Sequence, residues 1–451
     1  MWRDLGRDER SLFYFILVPA LLYPIHLVPD VPLLPWRENV FVASILLGSG
    51  MVLFTSGGRI VGARTPLLFL VAVAGLFWAW GIVTLFGAGE HLADGLRRLV
   101  LAIGSTIAVL VAFVYARPTP SLGWLALRTL ALWGGALSTV GLLIFFLGDA
   151  PGWSERYSQN VQSLRLLGLE LSQAVHLSRG FPIVASLTGN PNFLGFAAGL
   201  SVLASTALVL RREGHRAVWG VVLGLSLAGL ILSFSRGSML GAAAGLAMLL
   251  LLHSKRSVLV GFGLLGVVSM ALVIVFSVVG HEQVLSALAS GGQRDLIWGG
   301  ALERIARQPF GGVGFGLESE RVFAPMGISH TMHNAYLVVL AETGVVGLFL
   351  FLVFLAFSIL FLVLKVLSSA GSGVRELYLV VLAIVVFFLV RSIVETAIWR
   401  FSVYNVIFVF LLAMAMRLWE TEGGCNSKVT ALKPNPAERK DTGVKSRLPE
   451  V

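Results

Sequence analysis

LVVLAETGVVGLFLFLVFLAFSILFLVL, residues 337–364, is a run of 28 residues with one charged side chain, Glu342. About 20 apolar residues cross the hydrocarbon core of a bilayer, so this segment is long enough to start outside the membrane or to cross it at a tilt. The same length criterion, carried outward in both directions, finds further spans at 11–28, 40–55, 66–86, 99–116, 129–147, 193–210, 217–234, 240–253, 258–279, 378–398 and 404–418. The eighth of these, 240–253, is short. Composition agrees: of 451 residues, 57% are apolar and only 13% charged. A soluble chain of this length would carry about twice that charge and divide into several domains. The expected fold class is an all-α polytopic membrane protein of about 12 transmembrane helices.

The basic stretch 2–10 leads into the first apolar run without a small-residue cleavage site, so this run is read as a retained anchor. With the N-terminus in the cytoplasm, 21 of the 34 Lys and Arg fall on the cytoplasmic side, as the positive-inside rule requires. The net charge of +10 would suggest nucleic acid in a soluble protein, but here it follows membrane sidedness, and no nucleic-acid partner is implied. Residues 1–419 read as a single transmembrane domain and 420–451 as a polar, basic, disordered cytoplasmic tail. Two connections, 148–192 and 280–336, are too long to be turns, and both fall on the outer side. The second holds an amphipathic stretch, with Trp298, Leu302 and Ile305 at helical spacing, suited to lie on the membrane surface. The single cysteine, Cys425, excludes an intramolecular disulfide.

An arginine on the outer side runs against the charge rule and asks for a reason. Arg236, in Ser235-Arg236-Gly237-Ser238, sits in a connection of about five residues between two spans. It can snorkel to the headgroups, or hold phosphate with its bidentate fork. Arg294 opens the amphipathic stretch, either as a solvated loop residue or with its head at the same face. Arg179 lies in the first long loop. Arg391 and Glu395, four apart in an apolar segment, can share a helix face as an intramembrane ion pair. His330 and His333 are three apart with no convincing third ligand, so a metal is not implied. A neutral imidazole at the end of this loop can accept a proton near neutral pH, with packing or helix capping as the alternative. The outer segments hold no Asp-x-Asp pair, and the chain has neither a Gly-x-Ser-x-Gly elbow nor a P-loop.

Taken in order, Gly189-Asn190-Pro191-Asn192, Ser235-Arg236-Gly237, Arg294, residues 309–316, His333-Asn334-Ala335-Tyr336-Leu337 and Glu342-Thr343-Gly344 resemble the O-antigen ligase and O-antigen polymerase superfamily. The resemblance implies a fold of the glycosyltransferase-C-like, metal-independent type, with a large periplasmic loop carrying short amphipathic helices. It implies transfer of a glycan from undecaprenyl diphosphate to an acceptor hydroxyl at the periplasmic face of the bacterial inner membrane, with inversion and without a cofactor. In that picture Arg236 and Arg294 hold the diphosphate, and His333, which directly precedes Asn334, activates or orients the acceptor. Asn192, Asn334, Arg391 and Arg179 would complete substrate binding, although Arg179 lies farther from Asn-Pro-Asn than the family's arginine usually does.

The partners so implied are an undecaprenyl-diphosphate-linked glycan donor, a lipid A core acceptor and membrane lipids. A polymerase or a protein O-oligosaccharyltransferase would share the donor half. A 12-span transporter is the reading from another class. The segment Gly57-Gly58-Arg59-Ile60-Val61-Gly62-Ala63-Arg64 lacks the aspartate of the usual transporter signature, and a transporter has no need of 57 residues at 280–336.

Overall fold

The computed structural model describes residues 5–24, 37–56, 65–154, 159–166, 169–178, 181–211, 216–253, 294–324, 332–369, 372–396 and 402–431. Helix α1 runs Arg7–Leu12, widens into a π turn at Phe13–Leu17 and closes as Val18–Leu22. Then follow α2 (Arg37–Thr55), α3 (Thr65–Thr84), α4 (Leu92–Tyr115) and α5 (Pro120–Leu147). A meander of β1 (Gly152–Ser154), β2 (Gln159–Leu166), β3 (Leu169–Ser178) and β4 (Phe181–Val184) precedes α6 (Pro191–Leu210), α7 (Arg216–Leu232) and α8 (Arg236–His253). The chain continues with α9 (Arg294–Arg307), α10 (Ala335–Ser368), α11 (Ser372–Arg391) and α12 (Val403–Ala431), the last running on past residue 419.

Seven of the described helices are long and apolar enough to cross a membrane, and 40–55, 216–232 and 403–419 are shorter apolar helices. The chain is an all-α polytopic membrane protein with one small sheet. The expected ninth span, 258–279, lies outside the described residues, as do Arg179 and His330.

Helix α6 is central, with 83% of its most apolar window buried. Next to it α8 and α11 pack at close range, because Gly241 and Gly245 face the Phe387 and Ala383 carbonyls, where an added Cβ would stand at 2.7 Å. Small residues four apart on a membrane helix allow this approach of two backbones.

At one end of the bundle basic side chains cover helix C-termini. Arg375 donates to the Leu252 and Val366 carbonyls at 2.9 and 3.1 Å, and Arg417 to the Ala116 carbonyl at 2.9 Å. Each cation meets the negative end of a helix dipole there. Arg211 lies 3.8 Å over the Trp124 ring and 3.8 Å from Glu376 at the same end.

The opposite end carries the sheet, whose strands are antiparallel in the order β1-β2-β3-β4. Cross-strand pairs hold the β2–β3 register: Arg165 with Glu170, the Ser163 and Ser172 hydroxyls at 2.9 Å, and Gln162 with Gln173 at 3.2 Å. The buried glutamines tie the sheet to the helices, through Gln162 to the Phe145 carbonyl and through Gln173 to the Ser186 amide. No strand was expected in 148–192; the signal was the alternation of Leu164, Leu166, Leu169 and Leu171 with polar residues.

The 28-residue apolar run proves to be two helical pieces joined at a kink. Gly344 has φ 65° and ψ −169° inside α10, so the piece up to Thr343 precedes the long span. A kink frees carbonyls, and the glycine-rich segment receives them. Val313 and Gly314 amides donate to Ala341 and Glu342, and the Trp80 indole donates to Thr343, at 2.8 to 3.0 Å. A Cβ on Gly344 would strike the Phe310 carbonyl. Gly344→Ala is therefore expected to lower stability by at least about 2 kcal/mol, while Gly224→Ala, with nothing within 4 Å of the new Cβ, changes little. Thermal unfolding of both variants in detergent checks this.

Candidate active site

The turn that ends α11 brings together Arg391, His333 and the main chain of Asn192. Gly237, next to Arg236 in sequence, packs on Val394 of this turn, and Arg294 makes none of these contacts. Ile393 and Val394 amides fold back on the Val390 and Arg391 carbonyls at 3.2 and 3.1 Å, and the Ser392 carbonyl accepts from the Ala335 amide at 2.9 Å. The helix stops at Arg391 as a result, so Arg391 and Glu395 do not share a helix face as their spacing suggested. Instead Glu395 Oε2 lies 3.4 Å from His333 Nδ1.

Arg391 is fully buried. Its Nε donates to Ser238 Oγ at 3.1 Å in the first turn of α8, and its Nη2 to the Asn192 carbonyl at 3.3 Å in the first turn of α6. Its guanidinium lies 4.5 Å from the Tyr404 ring centroid and 5.3 Å from that of Phe196. One side chain thus joins α6, α8, α11 and α12, and its cation–π contacts replace part of the lost hydration.

Arg236 is half-buried and is the first residue of α8. The connection before it is only 233–235, in which Phe234 takes φ 48°. The Ser235 carbonyl accepts from the Met239 amide at 2.9 Å, and Gly237 packs on Val394 with its missing Cβ 3.5 Å from the Arg391 carbonyl. Arg236 is thereby held one residue from the α11 turn.

His333 has φ 48°, and Asn334 caps α10 by accepting from the Leu337 amide at 3.0 Å. The Asn334 side-chain oxygen is thus engaged by its own helix. Asn192 meets Arg391 through its main chain, and its own amide donates to the Asn190 side chain at 2.9 Å. His333 and Phe234 are two of the three non-glycine residues with positive φ among the described residues; the third is Ser186, which leads from the sheet toward α6. Backbone strain of this kind collects at functional sites.

Arg294 opens α9, one turn ahead of Trp298, whose indole donates to the Met332 carbonyl at 2.9 Å beside His333. The buried stripe of α9 is Ile297, Ala301 and Ile305, packed with Val313, Phe323 and Val338. The expected membrane-facing stripe is corrected in this respect: the apolar face is covered by protein, and Leu302 is exposed on another side. The cause is register, since the stripe at intervals of four begins at 297 rather than 298.

The segment after α9 is latched to α4. Arg98 holds Glu320 at 2.5 and 3.1 Å and also donates to the Gly316 carbonyl. Burial alone raises the Glu320 carboxyl, but the hydrogen bonds and charge of Arg98 outweigh it, and the group lies below its ordinary value of 4.5. A depressed carboxylate contributes stability above its unfolded pKa and loses it as pH falls through the folded one. Acidification below about pH 4.5 is thus expected to lower the hydrogen-exchange protection factors of 314–323, taken relative to the intrinsic rate at each pH, whereas Glu320→Gln removes this loss.

A cavity of about 320 Å³ opens between Thr84, Gly87 and residues 308–312, beside Arg321 and the α10 kink rather than at the α11 turn. Among the described residues no three His, Cys, Asp or Glu are placed to hold a metal.

Residues 220–352 match the family model described as O-antigen ligase, so the superfamily recognised from the motifs holds over that segment. This stretch includes Arg236, Arg294 and His333 and stops short of Arg391 and Glu395. A comparison with curated proteins gives no match. A solved structure described as "Structural coordination of polymerization and crosslinking by a peptidoglycan synthase complex" is similar at 16% identity, covering 80% of this chain and 98% of that one, with a TM-score of 0.44.

Proposed function

We propose, from the premise of an O-antigen ligase domain at residues 220–352, that this chain transfers a glycan from undecaprenyl diphosphate to lipid A core at the periplasmic face. The observation that carries the reading is the gathering, at the end of α11, of the first turns of α6, α8 and α10, with Arg391 bridging two of them and Glu395 against His333. These are helix ends. A transporter would place its binding groups near the middle of the bundle.

Glu395 on Nδ1 orients the His333 ring, leaving Nε2 to take the acceptor's proton. The acceptor oxygen then bonds to the anomeric carbon as its bond to the diphosphate breaks from the opposite face, so the configuration inverts. Arg236 and Arg294 stabilise charge on the departing diphosphate, which needs no metal. The arginines that cover helix C-termini at the other end of the bundle support a cytoplasmic location for that end.

The reading is tested with purified protein, undecaprenyl-diphosphate-linked glycan, and lipid A core or further donor as acceptor. Glycan on lipid A core is the expected product, in the presence of a chelator as well. Lengthening on the carrier would identify a polymerase instead, and transfer to neither would remove the ligase reading.

A further inference from the structure

We propose that the cavity beside the α10 kink is a saccharide subsite, in which a sugar ring of a glycan substrate stacks on Phe310. This rests on the glycan-transfer reading above and adds to it a place where the sugar, as distinct from the carrier headgroup, is held.

The cavity, about 320 Å³, falls inside the range of roughly 300–1,000 Å³ usual for small-molecule sites. Its walls are fixed from two sides. Arg321 ties them together, donating through Nη2 to the Gly87 carbonyl at 2.6 Å and through Nη1 to the Val313 carbonyl at 3.1 Å. The Gly312 amide on the Gln308 carbonyl at 3.1 Å and the Val345 amide on the Pro309 carbonyl at 2.8 Å hold the other wall against the kink. A pocket formed before its ligand arrives loses little ordering entropy on binding.

The lining selects the chemistry of the ligand. Phe310 is 70% exposed although it lines this cavity, and an open aromatic face accepts the apolar C–H face of a sugar ring. Gln308 is exposed at the same cavity, and its carboxamide offers both a donor and an acceptor to ring hydroxyls. Both Nη groups of Arg321 already serve main-chain carbonyls, so the fork is not free to grip phosphate, and its remaining N–H groups suit hydroxyl oxygens. An alkyl chain would use the ring and leave these polar groups unpaired. A sugar uses both.

The position also fits. The cavity's glycine-rich wall continues into the Val313 and Gly314 amides, which bond Ala341 and Glu342 at one end of the first piece of α10, and His333 precedes the other end. From Ala335 to Thr343 that piece is about 13 Å long, a span that a short oligosaccharide covers.

The test uses the full chain in nanodiscs, with KM measured separately for lipid A core and for the lipid-linked glycan donor. Hydrogen exchange of 308–314 is followed alongside, with the free core oligosaccharide or the free donor glycan as probe. Phe310→Leu keeps apolar bulk and loses the ring face. It is expected to raise KM about five- to tenfold for the glycan held here, with kcat within about twofold, and the KM that rises tells acceptor from donor. Phe310→Trp should stay near wild type, and Phe86→Leu, at an exposed ring that does not line the cavity, should change neither KM. Gly311→Leu, whose added Cβ meets nothing within 4 Å, puts bulk at the cavity wall and should raise the same KM if Phe310→Leu fails to insert. The matching free saccharide should slow exchange of 308–314 in wild type and not in Phe310→Leu. Unchanged KM values in Phe310→Leu and Gly311→Leu overturn the proposal, as does an equal effect of Phe86→Leu, which would assign Phe310 to the bilayer surface. Protection by a saccharide in a protein that transfers no glycan would instead bring down the transfer reading and leave the subsite standing.

Discussion

Arg236→Ala is expected to lower the turnover of glycan transfer by about 10²- to 10³-fold, and Arg294→Ala by a similar factor. Diphosphate departure concentrates negative charge on oxygen, and a fixed guanidinium in a water-poor site stabilises that charge without reorganising as it forms. In the proposed reading Arg236 serves this from a fixed backbone: the 233–235 turn, the Ser235 carbonyl and the contact of Gly237 with Val394 hold the first residue of α8 beside the α11 end. None of these contacts requires the guanidinium, so the variant should insert normally. Arg294→Ala likewise leaves Trp298 on the Met332 carbonyl. Arg236→Lys should recover only part of the rate, because an ammonium cannot grip two phosphate oxygens with one planar fork. Turnover within twofold of wild type in both alanine variants would remove the role assigned to these arginines.

His333→Ala should lower kcat by about 10²-fold or more and leave donor affinity nearly unchanged. Proton acceptance matters only as the acceptor attacks, so its loss appears in the chemical step. Capping and packing give a different signature, and the backbone of His333 separates them. With φ 48°, this position suits glycine better than alanine. If the imidazole serves the reaction, His333→Gly and His333→Ala are equally slow although glycine is the more stable of the two. Activity that follows thermal stability across the pair would return His333 to a structural role.

The helices were legible because apolar length needs no partner to be read, and each expected span among the described residues is a helix. What was less legible depends on who covers whom. Trp298, Leu302 and Ile305 share a face by spacing alone, but the face chosen is the one that Val313, Phe323 and Val338 can cover. The ion pair suggested by Arg391 and Glu395 assumed a helix continuing to 395, and the Ala335 amide on the Ser392 carbonyl accompanies its end at 391. Gly312 and Gly314 looked like weak signals among many glycines, and their use became clear only at the Gly344 kink, whose carbonyls their segment receives. The sheet was readable from the leucine alternation at 164–171 and was missed because a loop was expected between spans.

In the candidate site, Arg236 and His333 came from motif positions; His333 faces Glu395 of the α11 turn, and Gly237, next to Arg236, packs on Val394 of the same turn. The engagement of Glu395 with His333 had no local sequence signal, since 62 residues separate them. Asn334 was legible as part of a motif but not as a helix cap, which needs the start of α10 at Ala335 to be known.

The most direct measurement is a mass balance on the carrier, with the protein reconstituted in proteoliposomes and labelled undecaprenyl-diphosphate-linked glycan as donor. The account predicts one free undecaprenyl diphosphate for each glycan transferred, with turnover lost in Arg236→Ala and His333→Ala and kept in chelator. Glycan transfer without release of the diphosphate lipid, or release at wild-type rate in both variants, would contradict it.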